Sequence, residues 1–61
     1  METRERLIAD ITALYERGYI NSQALAVLPA EFGATVSEDE LRRVLRLAGF
    51  TDGQIDSGNY R

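Results

Sequence analysis

Cysteine and histidine are both absent from the 61 residues, which excludes disulfides, thiolate chemistry, imidazole acid-base catalysis and the usual zinc ligands. Lysine is missing as well, so all 7 basic residues are arginine, a bias that reads as coding composition in a GC-rich genome. No apolar run approaches the ~20 residues that span a bilayer. Glu2, Arg4, Glu5 and Arg6 dilute the first apolar residues, so neither a signal peptide nor a membrane anchor is expected, and the expected setting is cytoplasmic. Positive charge is also in short supply. With 7 arginines against 10 carboxylates the net charge is −3, the wrong sign for a chain whose affinity depends on neutralising phosphates.

A chain of this length predicts one domain over residues 1–61 and a single core. Such a domain buries only ~60% of the surface its unfolded chain exposes, so each large apolar side chain matters, and homo-oligomer formation is an easy way to gain burial.

What the sequence does contain is helical grammar. Leu7, Ile8, Ile11, Leu14 and Tyr15 recur at helical spacing with Glu5, Ala9, Thr12 and Glu16 opposite, Thr3 is placed to cap, and Gly18 to terminate, predicting a helix over about 3–17. Three times an apolar residue is followed by a capping residue and, four positions beyond the cap, by another apolar residue: Ile20-Asn21-Leu25, Val36-Ser37-Leu41 and Phe50-Thr51-Ile55. Each triplet matches the hydrophobic staple, which fixes how the chain enters a helix. Ser37 with Glu40 and Thr51 with Gln54 add the reciprocal capping box, and Gly18, Gly33 and Gly49 lie just ahead of the three starts.

The starts predict helices over 21–28, 37–48 and a short 51–56. Pro29 stops the second of them, and one further turn is open to residues 29–32. The fold class is therefore all-α, a compact three-helix domain with a short fourth C-terminal helical turn. Its expected core is Leu7, Ile11, Leu14, Ile20, Leu25, Leu28, Val36, Leu41, Val44, Leu45, Phe50 and Ile55. An offset of 16 residues aligns Ile20, Asn21, Leu25 and Leu28 with Val36, Ser37, Leu41 and Val44, which we read as shared capping grammar, since solenoids need at least three repeats.

Two resemblances attach to these patterns. Gly18, Ile20 and Leu25, and again Val36, Glu40 and Leu41, resemble the second half of a calcium-binding helix-loop-helix loop. The liganding half is missing, with Ala13, Tyr15 and Arg17 at the first site and Pro29, Glu31 and Gly33 at the second, so calcium is not expected. The stretch Leu14 to Pro29, carrying Gly18, Ile20, Ser22, Leu25, Leu28 and Pro29, is similar to a helix-turn-helix stretch of tailed-phage portal subunits, which implies a phage or prophage setting.

For function the inventory is spare. Glu38, Asp39 and Glu40 complement the dipole of a helix start and have no polarising neighbour, so no catalytic residue, no metal ligand and no cofactor site is expected, and the protein is not expected to be an enzyme. Arg42, Arg43 and Arg46 form the only basic cluster, with Glu38 and Asp39 placed to pair Arg42 and Arg43 at four-residue spacing. Leu47 projects away from the stripe of Leu41, Val44 and Leu45, and together with Phe32 it suggests an exposed apolar patch. Tyr15 and Tyr19 are expected to pack as core lids, and Tyr60 less so.

The sequence thus predicts a small protein-binding module, a phage-encoded inhibitor or adaptor acting on a larger protein partner through Leu47, Tyr60, Arg42, Arg43 and Arg46. The alternative is a small helical nucleic-acid-binding transcriptional regulator using the Arg42/Arg43/Arg46 face. It is the weaker of the two, because Glu38, Asp39 and Glu40 would reach a DNA groove first and the eight residues between Leu28 and Ser37 exceed a helix-turn-helix connection.

Overall fold

The computed structural model describes residues 2–28 and 35–61. Four helices follow in order: α1 (Glu2–Glu16), α2 (Ser22–Leu25), α3 (Glu38–Leu47) and α4 (Asp52–Ser57). The chain is helical without strands among the described residues. Its radius of gyration of 10.3 Å is close to the ~10.5 Å expected of a compact chain this long. The expected extra turn at 29–32, and Phe32 within it, lie outside the described residues.

All three stapled entries cap as their residue types dictate. The side chains of Asn21, Ser37 and Thr51 accept from the backbone N–H of Ala24, Glu40 and Gln54 respectively, and both capping boxes close. Helix α1 begins one residue earlier than expected, which places Thr3 inside it. Its end is set by Gly18 at φ +82°: Gly18 N–H donates to the Tyr15 carbonyl and Tyr19 N–H to the Leu14 carbonyl, satisfying two of the carbonyls a helix end leaves free. Gly49, at φ +104°, ends α3 in the same way, with Gly49 N–H on Arg46 and Phe50 N–H on Leu45.

Helix α3 is the element on which each of the other three packs. Leu41, Val44 and Leu45 on α3 are buried to the last atom, as are Leu7 and Ile11 on α1 and Ile55 on α4, with Leu14, Ile20, Ala24, Leu28 and Val36 completing the core. The expected core differs at three residues. Leu25 and Phe50 are only partly buried against it, and Ala24 takes the inward place in the second segment. The reason is geometric: α2 has a single turn, and the inward line through it runs Ile20, Ala24, Leu28 at four-residue steps, with Leu25 about 100° off that line.

Two corrections concern tyrosine. Tyr15 and Tyr19, expected to act as lids, are 53% and 63% exposed, because Tyr15 lies at the edge of the α1 stripe beside half-buried Ile8 and Tyr19 follows the Gly18 reversal. Tyr60, expected to pack less, is the tyrosine that packs against the core, its ring edge-on to Phe50 with centroids 4.8 Å apart.

Candidate functional site

Helix α3 divides the surface into two flanks. On the side facing α4, the Arg42 guanidinium binds the Asp56 carboxylate and Arg46 Nε donates to Asp52 Oδ1 at 2.7 Å. This corrects the expected pairing of Arg42 with Glu38 inside the helix: the guanidinium reaches the neighbouring helix instead, and the expected Asp39–Arg43 pair is not formed either. Each bridge is partly or largely solvated, so it is worth at most about 1 kcal/mol. Its geometric effect is to commit two of the three cluster arginines to the fold.

The same side is closed further by α1. Arg6 donates to the carbonyls of Ile55 and Asp56, at the negative end of α4, where a cation is favourable. Arg6 Nε lies 3.5 Å from Asp10 Oδ2, and that oxygen accepts a 2.7 Å bond from the Tyr60 hydroxyl. Burial pushes the Tyr60 phenol well above its ordinary range, and the bond to the Asp10 carboxylate pushes it the same way. Nearby, Arg4 Nε donates to the Val36 carbonyl at 2.8 Å. The arginines of the first turns of α1 are therefore internal ties, a role their sequence neighbourhood does not reveal, since their acceptors lie 32 to 50 residues away.

On the opposite flank α3 faces α2, and here little is closed. Leu47 is 53% exposed and Val27 37%. Between them lies an open hollow of about 210 Å³ lined by Asn21, Gln23, Ala24, Val27 and Leu47, with no carboxylate among the described residues of its walls. Asn21 Oδ1 is occupied by its cap to Ala24 N–H. Arg43, one turn before Leu47 on the same helix face, is exposed and has no ion pair among the described residues. A second, larger hollow of about 350 Å³ lies where the C-terminal tail meets the end of α1, lined by Leu14, Arg17, Tyr19, Gly58, Asn59, Tyr60 and Arg61.

The structure thus brings together Leu47 and Arg43 from the expected contact residues and separates them from the rest. Arg42 and Arg46 point to α4, and Tyr60 spends its hydroxyl on Asp10 and its ring on Phe50. Sequence reasoning missed Val27, Asn21 and Gln23. For Val27 a signal existed: it is an apolar residue off the Ile20–Ala24–Leu28 line, just as Leu47 is off the Leu41–Val44–Leu45 stripe.

The hollow has the makings of a recognition surface, an apolar floor and walls with two amide side chains on the rim. Glu38, Asp39 and Glu40 remain in the first turn of α3, with Glu40 accepting from Ser37. Among the described residues no three acidic side chains gather to hold a metal ion, and no helix is long and apolar enough to cross a membrane. Comparison with protein-family models, curated proteins and solved structures finds no match to this chain.

Proposed function

We propose that the protein is a small, non-enzymatic protein-binding module that occludes or bridges a larger protein partner through the hollow between α2 and α3. The observation that carries this reading is Leu47, a leucine more than half exposed beside Val27 in a chain whose other leucines on α1 and α3 are buried. Contiguous exposed apolar surface is a mark of partner sites, and Leu47 and Val27 line one hollow. The contact set is Leu47, Val27 and Arg43, with Arg42, Arg46 and Tyr60 supporting the fold behind it.

The likeness of Leu14–Pro29 to a portal helix-turn-helix stretch favours a phage or prophage setting, in which a module of this kind acts as an inhibitor or adaptor. Nucleic-acid binding through Arg42, Arg43 and Arg46 is the less supported reading, since Asp56 and Asp52 already neutralise two of these groups. Capture from a lysate of the source cells tests the choice, using immobilised wild-type protein and the Leu47→Asp variant at low and high salt. The proposal predicts a protein retained by the wild type at both salt levels and lost with the variant. Equal retention by the variant, or a nucleic acid that elutes steeply as salt rises, contradicts it.

A further inference from the structure

Resting on that reading, the charge around the hollow narrows what can occupy it. The described residues of the walls include no acid, and the nearest charge on the Leu47 face of α3 is the Arg43 guanidinium one turn earlier. Arg42 and Arg46 are spoken for by α4, so Arg43 is the member of the cluster left to meet an incoming charge. Asp39 lies a further turn away from Leu47, and the Glu40 carboxylate is held by the Ser37 amide and hydroxyl. The volume also sets a scale. An apolar cavity of ~150 Å³ takes up a benzene molecule, so about 210 Å³ of open hollow accepts one branched or aromatic side chain.

We infer that the hollow docks an acidic amphipathic helix of a protein partner, which inserts one large apolar side chain between Val27 and Leu47 and places a carboxylate, one turn away, on Arg43. Helix-in-groove recognition supplies the geometry, with an apolar anchor for affinity and the charge for orientation. A basic helix finds no carboxylate among the described wall residues and meets Arg43 as a like charge.

The test uses two synthetic helical peptides, identical except that the residue four positions from a single leucine anchor is Glu in one and Lys in the other. Each is titrated into isotopically labelled protein while backbone amide shifts are followed. The inference predicts shifts centred on Val27, Arg43 and Leu47, tighter binding of the Glu peptide by about two- to five-fold at low salt, and a reversed preference in Arg43→Glu. Arg43 is exposed, so this variant keeps the fold, which circular dichroism checks. Shifts at the hollow with no charge preference, or with the Lys peptide preferred, overturn the acidic assignment and leave the protein-binding reading standing. Absence of shifts at the hollow with either peptide overturns both.

Discussion

Toward α4, helix α3 carries Arg42 and Arg46, and both are taken up by aspartates of that helix, while Arg6 and Tyr60 tie α1 to the same region. Toward α2 it carries Arg43, which has no ion pair among the described residues, and Leu47, which is more than half exposed. Both flanks begin from a well-capped helix start, so capping does not account for the difference. What separates them is reach. The α4 side is crossed by long polar side chains from distant parts of the sequence, whereas α2 is a single turn whose inward contribution is Ala24. The α4 flank is closed by the chain's own side chains, whereas the α2 flank leaves Leu47 more than half exposed.

The sharpest way to break this comparison is on the closed side. Ile55→Ala deletes a fully buried side chain that joins α4 to the core, and it should cost about 2–5 kcal/mol in urea unfolding. For a domain this small that is a large part of the ~3–9 kcal/mol expected in total. A loss below ~1 kcal/mol would show that α4 is loosely held and the two flanks alike.

Tyr60→Phe comes next, with an expected loss of about 1–2 kcal/mol at neutral pH for a bond to a carboxylate. It also has a pH signature. Folding raises the Tyr60 pKa above its unfolded value of ~10, so the folded state holds the phenolic proton more tightly. The resulting stability is fully present below pH ~10 and is lost as pH rises past that point. Unfolding curves taken from neutral to strongly alkaline pH should show this component in the wild type and its absence in the variant. A shared alkaline slope would place the effect elsewhere.

Smaller still is Arg42→Ala, expected to cost at most ~1 kcal/mol and to lose its effect at high salt, because the Asp56 carboxylate is largely solvated. Leu47→Asp, on the open side, should change stability by less than ~0.5 kcal/mol, in contrast to its predicted effect on partner capture. Thermal unfolding of the two variants side by side ranks them.

How much of this was legible in the sequence follows from distance along the chain. The caps at Asn21, Ser37 and Thr51 and the reversals at Gly18 and Gly49 depend on residues within five positions, and each is read from residue type alone. Leu47 was legible because an apolar residue off a buried stripe is visible in the helical period. Tyr60 was not, since its partner Asp10 lies 50 residues away and neither residue carries a local mark of the pairing. The arginines were misread for a related reason: four-residue spacing offers Arg42 a partner in Glu38, but only the placement of α4 reveals that Asp56 is the better one. Ala24 displaced Leu25 because the length of α2 decides which of two adjacent apolar residues faces in, and that length was overestimated by the interval to Pro29.

One pair of truncations tests the asymmetry most directly. Tyr60→Ala and Leu47→Ala each remove a large, partly exposed apolar side chain, and their free energies of unfolding can be measured in urea under identical conditions. Tyr60→Ala should destabilise by more than ~1 kcal/mol, through the lost ring contact and the lost hydroxyl bond to Asp10, and Leu47→Ala by less than ~0.5 kcal/mol. Equal losses, or a larger loss at Leu47, would mean that the fold needs this leucine and that the α2 side of α3 is not free for a partner.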